Sequence, residues 1–141
     1  MPSIHSSKIV SCSADGIYRV VADIEQYPTM LNYIKSVRIL AKGENHLTAE
    51  VSVGVGLIQF SYECDIALTP PQRIDIVSTK KPFKSLVASW QFTPLSPTST
   101  KIDYALDSQF ASGLMERTAG MMLAQQLHYS LKAFESRLRK S

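Results

Sequence analysis

Residues 59–68, QFSYECDIAL, alternate almost without error: Phe60, Tyr62, Cys64, Ile66 and Leu68 fall on one face, and Gln59, Ser61, Glu63 and Asp65 on the other. A period of two marks a β-strand with one buried side. That side is broad and oily for so short a chain. Whether it faces a packed core or a molecule that the protein carries depends on what surrounds it.

Working outward, the same period recurs in both directions. Val37 and Ile39 begin it, KGEN (42–45) reverses the chain, and Leu47, Ala49, Val51, Val53 and Val55 form the next apolar face. Gly54 and Gly56 mark a bend before the opening stretch, which ends at Pro70 and Pro71. Residues 74–78 and 86–92 add two strands, the second with Leu86, Ala88, Trp90 and Phe92 aligned. PLSPTST (94–100) turns the chain, and Ile102, Tyr104, Leu106 and Phe110 complete the set. Residues 3–11 alternate as well and read as a first strand. Successive strands with short turns predict an antiparallel meander.

Two helical segments follow the first strand. In SADGIYRVVADIEQYP (13–28), Ser13 can cap a helix, Asp15 suits its positive end, and Ile17, Val20, Val21 and Ile24 share a face. Pro28 is expected to stop that helix, with a short second helical turn at 29–31. Asp23 is expected to anchor the loop between them through backbone hydrogen bonds.

Residues 112–139 read as one long helix. At about 100° per residue, Leu123, Leu127, Leu131, Phe134 and Leu138 form a stripe that can bury against a curved sheet. Continued backwards, the stripe reaches Gly120 and then Glu116. A face filled at one end and emptied at the other predicts a hollow near Gly120 and Glu116, with Leu131 and Phe134 as core. The resulting order is α+β: a seven-stranded antiparallel sheet wrapped around a long C-terminal helix, with two short helices after the first strand. Such a sheet encloses more volume than a single helix fills, so the remainder is a candidate ligand cavity.

Its wall can be nominated. Phe60, Tyr62, Trp90 and Phe92 read either as core packing or as cavity lining. GLI (56–58) with Ile58, KPF (81–83) with Phe83, and GLMERTAGMML (113–123) with Met115, Ala119 and Gly120 belong at or near the mouth. They either pack on one another to close it or form a lid that dips into a bilayer. Glu116, with Tyr62 or Tyr104, is the polar candidate, set against a plain solvent-facing carboxylate in the first turns of a helix. Enclosing an isoprenoid chain yields about 25 cal/mol per Å² of apolar surface, and orienting a ring needs a few polar groups placed among the apolar ones.

A chain of 141 residues is expected to make one domain over 1–141. With 45% hydrophobic and 19% charged residues it has globular composition, and a net charge of +3 argues against DNA as a partner. The clusters Lys80, Lys81, Lys84 and Arg137, Arg139, Lys140 read as a solvated loop and a helix end, or as contacts for lipid head groups or ribosomal RNA. Cys12 and Cys64 fit no metal-ligand spacing and read as reduced and structural. MPSIHSSKIV lacks a basic region followed by an apolar run, and no stretch of about 18 apolar residues occurs, so the expected compartment is the cytoplasm. His5, His46 and His128 stand beside no evident nucleophile or carboxylate, and no nucleophile elbow, phosphate loop or zinc spacing is present. No catalytic residue, metal or required cofactor is therefore assigned. A cyclase, which needs only a shaped pocket and one or two acid/base groups, stays open.

Four blocks carry a resemblance to the Coq10 and RatA family, a polyketide cyclase-like group within the START and Bet v 1-like, or SRPBCC, superfamily. They are YRVVADIEQYP (18–28); LTAEVSVGVGLIQFSYECDIAL (47–68); KPFKSLVASWQFTPL (81–95), through Pro82, Phe83, Leu86, Trp90, Phe92, Pro94 and Leu95; and KIDYALDSQFASGLM (101–115) with AFESR (133–137). Their order spans nearly the whole chain. The chain departs from the pattern at TMLNYI (29–34) on the pocket side, at Lys81 in place of a glycine, and at Ala111 in place of a basic residue. The resemblance implies the helix-grip fold and a non-catalytic role in respiration. The bound ligand would be ubiquinone or a related polyprenyl lipid, exchanged with the inner membrane through peripheral contact. The same family implies two alternatives: a ribosome-associated toxin that blocks subunit joining, and a small polyketide cyclase or aromatase.

Overall fold

In the computed structural model the alternating stretch becomes β4 (Ile58–Thr69), near the middle of a seven-stranded antiparallel sheet. The structure describes residues 3–140, with the side chains at 120, 121, 123, 124, 127, 128, 139 and 140 outside the description. The other strands are β1 (Ser3–Val10), β2 (Ile34–Gly43), β3 (His46–Val55), β5 (Arg73–Ser78), β6 (Phe83–Ser96) and β7 (Ser99–Phe110). Their order is β1-β7-β6-β5-β4-β3-β2, so β2 to β7 form the expected meander and β1 adds to its far side.

Register is set by matching oily faces. Opposite one another on β3 and β4 stand Leu47 and Ile66, Ala49 and Cys64, Val51 and Tyr62, and Val53 and Phe60. A one-residue slip would turn this whole set to solvent. The β3–β4 connection is two residues, Gly56 and Leu57, with Gly56 at φ +60°, a left-handed conformation that glycine adopts without Cβ strain. Asn45 serves the β2–β3 turn at φ 58°, as its short polar side chain allows.

Between β1 and β2 lie α1 (Ala14–Ala22), a 3-10 turn (Ile24–Gln26) and α2 (Tyr27–Met30). Ser13 caps α1 as expected, its Oγ accepting from the Gly16 N–H at 3.1 Å. Pro28 plays a different part from the expected one. α1 ends at Ala22, where Asp23 leaves helical geometry (φ −84°, ψ 70°), and Pro28 sits in the first turn of α2. A residue without an amide proton is at home there, because the first turn has no acceptor for that proton. Asp23 does hold the loop by its main chain, its carbonyl accepting from the Gln26 N–H at 3.1 Å, while its side chain is exposed.

The long C-terminal helix is also divided. α3 (Gly113–Thr118) and α4 (Gly120–Lys140) meet at Ala119, which is fully buried at φ −100°, ψ −26°. A β-branched residue before the joint and a glycine after it are weak helix formers, so the chain can change direction there at little cost. α4 then crosses the inner face of the sheet. Leu131 and Phe134 are buried on it, Leu138 is half-buried, and the side chains of Leu123 and Leu127 lie outside the described residues. Lys8 pairs with Glu135 at 3.2 Å, and Arg137 Nη2 donates to Thr29 Oγ1 at 2.6 Å, fastening α4 to β1 and to α2. Gly16 lets α1 approach: a Cβ there would stand 2.8 Å from Ser13 Oγ and 3.4 Å from the Leu138 side chain.

Candidate ligand cavity

A cavity of about 90 Å³ lies between the sheet and the helices. Its floor is the inner face of β3 to β7: Val51 of β3; Tyr62, Cys64 and Ile66 of β4; Ile76 of β5; Leu86, Ala88 and Trp90 of β6; and Leu106 of β7. Its roof is the segment that follows α1, through Ile24, Tyr27, Leu31 and Tyr33, together with Ser130 and Phe134 of α4. Phe134 is 1% exposed to solvent, yet it borders this space, with its ring 5.3 Å from Tyr27 and 5.8 Å from Trp90. Among the described residues, the hollow therefore lies against the part of α4 expected to be filled.

The wall is apolar apart from a few groups. Ser130 Oγ donates to Gln126 O (2.9 Å), the usual back-bond of a helical serine, and this leaves it to accept from Tyr33 Oη at 2.9 Å. Tyr27 Oη donates to Val21 O. The Tyr62 hydroxyl has no hydrogen-bond partner among the described residues. Burial raises all three phenols above their ordinary range: Tyr27 with lesser contributions from Tyr33 and Tyr62, Tyr62 with contributions from Cys64 and Tyr33, and Tyr33 against the opposing effect of its Ser130 bond. Burial, and then Asp65, pushes the Cys64 thiol up to about 12. It is a neutral thiol near pH 7, a small apolar wall group rather than a nucleophile.

The nominated residues divide by position. Tyr62 and Trp90 line the cavity. Phe60 and Phe83 join Phe110 in an aromatic cluster beyond it, with ring centroids 6.0 Å apart for Phe60 and Phe83, 5.7 Å for Phe60 and Phe110, and 4.6 Å for Phe83 and Phe110. Tyr62 belongs to both groups, because its ring lies 5.0 Å from Phe83. Phe92 packs edge-on against Tyr18 of α1, and Tyr104 stacks on Trp90 from β7 at 5.3 Å. Ile58 is half-buried beside the β3–β4 turn, and Met115 is half-buried against the core. Glu116 Oε1 accepts from the Phe110 N–H at 3.3 Å, and its Oε2 is buried without a partner among the described residues. The Gly120 position lies outside the described side chains.

Several wall residues were not nominated. TMLNYI (29–34) supplies Leu31, Tyr33 and Ile34, so the stretch that departs from the family pattern is a part of the roof. Ser130 carried a readable signal, a small polar residue beside Leu131 on the buried stripe. Tyr27 stood in the first matched block without an assigned role. No group of three His, Cys, Asp or Glu side chains that could hold a metal occurs among the described residues. No helix there is long and apolar enough to cross a membrane.

Residues 10–135 match the model of a family described as polyketide cyclase / dehydrase and lipid transport. The ribosome association toxin RatA of Escherichia coli K12 is 31% identical over 140 residues, covering 99% of this chain and 89% of that protein. The mitochondrial coenzyme Q-binding protein COQ10 of Dictyostelium discoideum is 30% identical over 129 residues, covering 86% of this chain and 61% of that protein. The Zhui aromatase/cyclase from Streptomyces sp. R1128 superposes with a TM-score of 0.86 over 99% of this chain and 94% of its own at 15% identity, a likeness of fold alone. A seven-stranded sheet gripping a helix over an apolar cavity and a family match over nearly the whole chain agree, and the chain belongs to the polyketide cyclase / dehydrase and lipid transport family.

Proposed function

We propose that the protein binds the ring of a quinone with a polyprenyl tail, such as ubiquinone, in this cavity and carries it without chemical change. The observation behind this reading is an apolar chamber whose wall includes one phenol, Tyr62, without a hydrogen-bond partner among the described residues. A quinone ring offers carbonyl acceptors and no donors, so a free phenol is its complement, and the remaining wall suits the ring edge and first isoprene units. About 90 Å³ is well below the roughly 300–1,000 Å³ of drug-sized ligand sites. Entry of the ligand then requires the roof segment carrying Leu31 and Tyr33, or the aromatic cluster at Phe83, to move aside. Similarity to a coenzyme Q-binding protein supports the same choice.

A second reading, association with the ribosome, is favoured by the relative named for it, which aligns over 99% of this chain. A cyclase reading has only the likeness of fold behind it, and would require polyketide turnover that stops on Glu116→Gln.

Native mass spectrometry of protein purified from its own host separates the first two. A copurifying quinone is the expected result. Protein that is empty and cosediments with large ribosomal subunits in a salt-sensitive way overturns the carrier reading.

A further inference from the structure

Three connections meet at one end of the antiparallel sheet: the β3–β4 turn (56–57), the β5–β6 connection (79–82) and the β7–α3 link (111–112). The Ala111 N–H donates to Pro82 O at 2.8 Å, joining two of them directly. Leu57 in the first is 103% exposed, and Leu114, in the opening turn of α3 just past the third, is 65% exposed. Single exposed leucines are commonplace. These two differ in sharing an end of the molecule with a set of unneutralised cations.

Lys35, Lys81, Lys84 and Arg117 are all exposed, and none makes an ion pair among the described residues. Lys35 belongs to the same end because its side chain lies beside Gly54, two residues from the turn. By contrast, Lys80 between them is held by Glu63 at 3.4 Å. Directly beneath lies the cluster of Phe60, Phe83 and Phe110, joined to the cavity wall through Tyr62.

We propose that this end of the sheet docks on an anionic phospholipid bilayer, Leu57 and Leu114 entering the acyl boundary while Lys35, Lys81, Lys84 and Arg117 meet the head groups. Apolar side chains backed by cations are the composition that interfacial binding selects, each cation adding to the attraction of an anionic leaflet. RNA is the poorer partner for this surface. It would use the cations, but it stacks on aromatic or guanidinium planes and gains nothing from two isolated leucines. Docking here deepens the carrier reading, on which it rests for its purpose, and sets the aromatic cluster between the membrane and the cavity as the closure that a lipid must pass.

The test is flotation with vesicles of equal parts phosphatidylglycerol and phosphatidylcholine, compared with phosphatidylcholine alone. The protein is expected to float with the anionic vesicles and not with the neutral ones. Leu57→Ser and Leu114→Ser should each lower partitioning about tenfold, with thermal unfolding unchanged because both side chains are exposed. Lys81→Glu with Lys84→Glu should weaken binding most at low salt. A short-tailed soluble quinone, titrated without vesicles, separates the two readings: lost flotation with retained quinone binding sinks the docking surface alone. Loss of quinone binding with leucine-dependent flotation sinks the carrier alone. Flotation undiminished by the leucine changes, or ribosome binding that is abolished by the lysine changes in a protein that never floats, overturns the docking surface.

Discussion

The ring of Tyr62 stands at 88° to the ring of Phe83, their centroids 5.0 Å apart, so one phenol forms part of the cavity wall and also one side of the aromatic cluster that closes the sheet end. β5 lies opposite β4 only from Asp65 to Thr69. Beside the first half of β4, where β5 has run out, aromatic rings stand in the gap. β4 and β6 are joined there by ring contacts of Phe60 and Tyr62 with Phe83 rather than through an intervening strand.

Phe83→Ala should therefore cost both stability and closure. The side chain is 1% exposed, and truncation of a buried phenylalanine typically costs about 3–5 kcal/mol. Urea unfolding should show that loss, and an environment-sensitive apolar dye should enter the mutant more readily than the parent. A loss under about 1 kcal/mol would mean that the cluster is loosely packed.

Tyr62→Phe isolates the phenol from the ring. Stability should change little, since no partner among the described residues loses a hydrogen bond, while a quinone ring should lose about 0.5–1.5 kcal/mol of affinity, the worth of one hydrogen bond. A tail hydrocarbon lacking the ring should bind both proteins alike in calorimetry.

Ser130→Ala leaves the Tyr33 hydroxyl without its acceptor inside a buried wall, at a cost of about 1–3 kcal/mol. Combining it with Tyr33→Phe should recover part of that cost, because neither polar partner is then stranded. A double-mutant cycle with no coupling would show that the 2.9 Å contact contributes nothing.

Alkaline pH should weaken the fold through Cys64 and the buried phenols. Cys64 ionises at about 12 in the folded chain against an ordinary value of 9.0, so the unfolded chain gives up this proton first. Its contribution is complete below about 9.0, is lost as pH rises from there toward about 12, and gives a stability that falls with pH in that window. Tyr27, Tyr33 and Tyr62, shifted upward by the same burial, act in the same direction above their ordinary 10.0. Denaturant midpoints from neutral pH upward should decline in this way, less steeply in Cys64→Ala.

Gly16→Ala should destabilise although it places a better helix former inside α1. The added Cβ would meet Ser13 Oγ at 2.8 Å, disturbing the cap, and would press on Leu138 of α4. Loss of an N-cap is worth about 1 kcal/mol. A thermal midpoint at or above that of the parent would show that the cap adjusts freely.

The period-two runs were legible because strand sequence writes burial directly: Leu47, Ala49, Val51 and Val53 had to share a face with Tyr62, Cys64 and Ile66 for either strand to bury its side. The helical stripe at Leu131 and Phe134 was legible for the same reason. Pro28 was less so. One local rule stops a helix at proline and another admits proline to a first turn, and the earlier end of α1 at Ala22 decided between them. The joint at Ala119 falls where the apolar stripe gives way to Gly120 and Glu116, a break that reads equally as an emptied face of one helix or as the meeting of two.

The sequence alone determined the order of elements, the pairing of neighbouring strands and the oily inner face, since each follows from residues close together in the chain. Tertiary structure decided where that face is filled. Tyr62, Tyr33 and Ser130 stand far apart in sequence and line one cavity because α4, which buries Leu131 and Phe134, packs over the sheet beside the segment that follows α1. Their meeting depends on the gap between helix and sheet, a distance that no local period encodes.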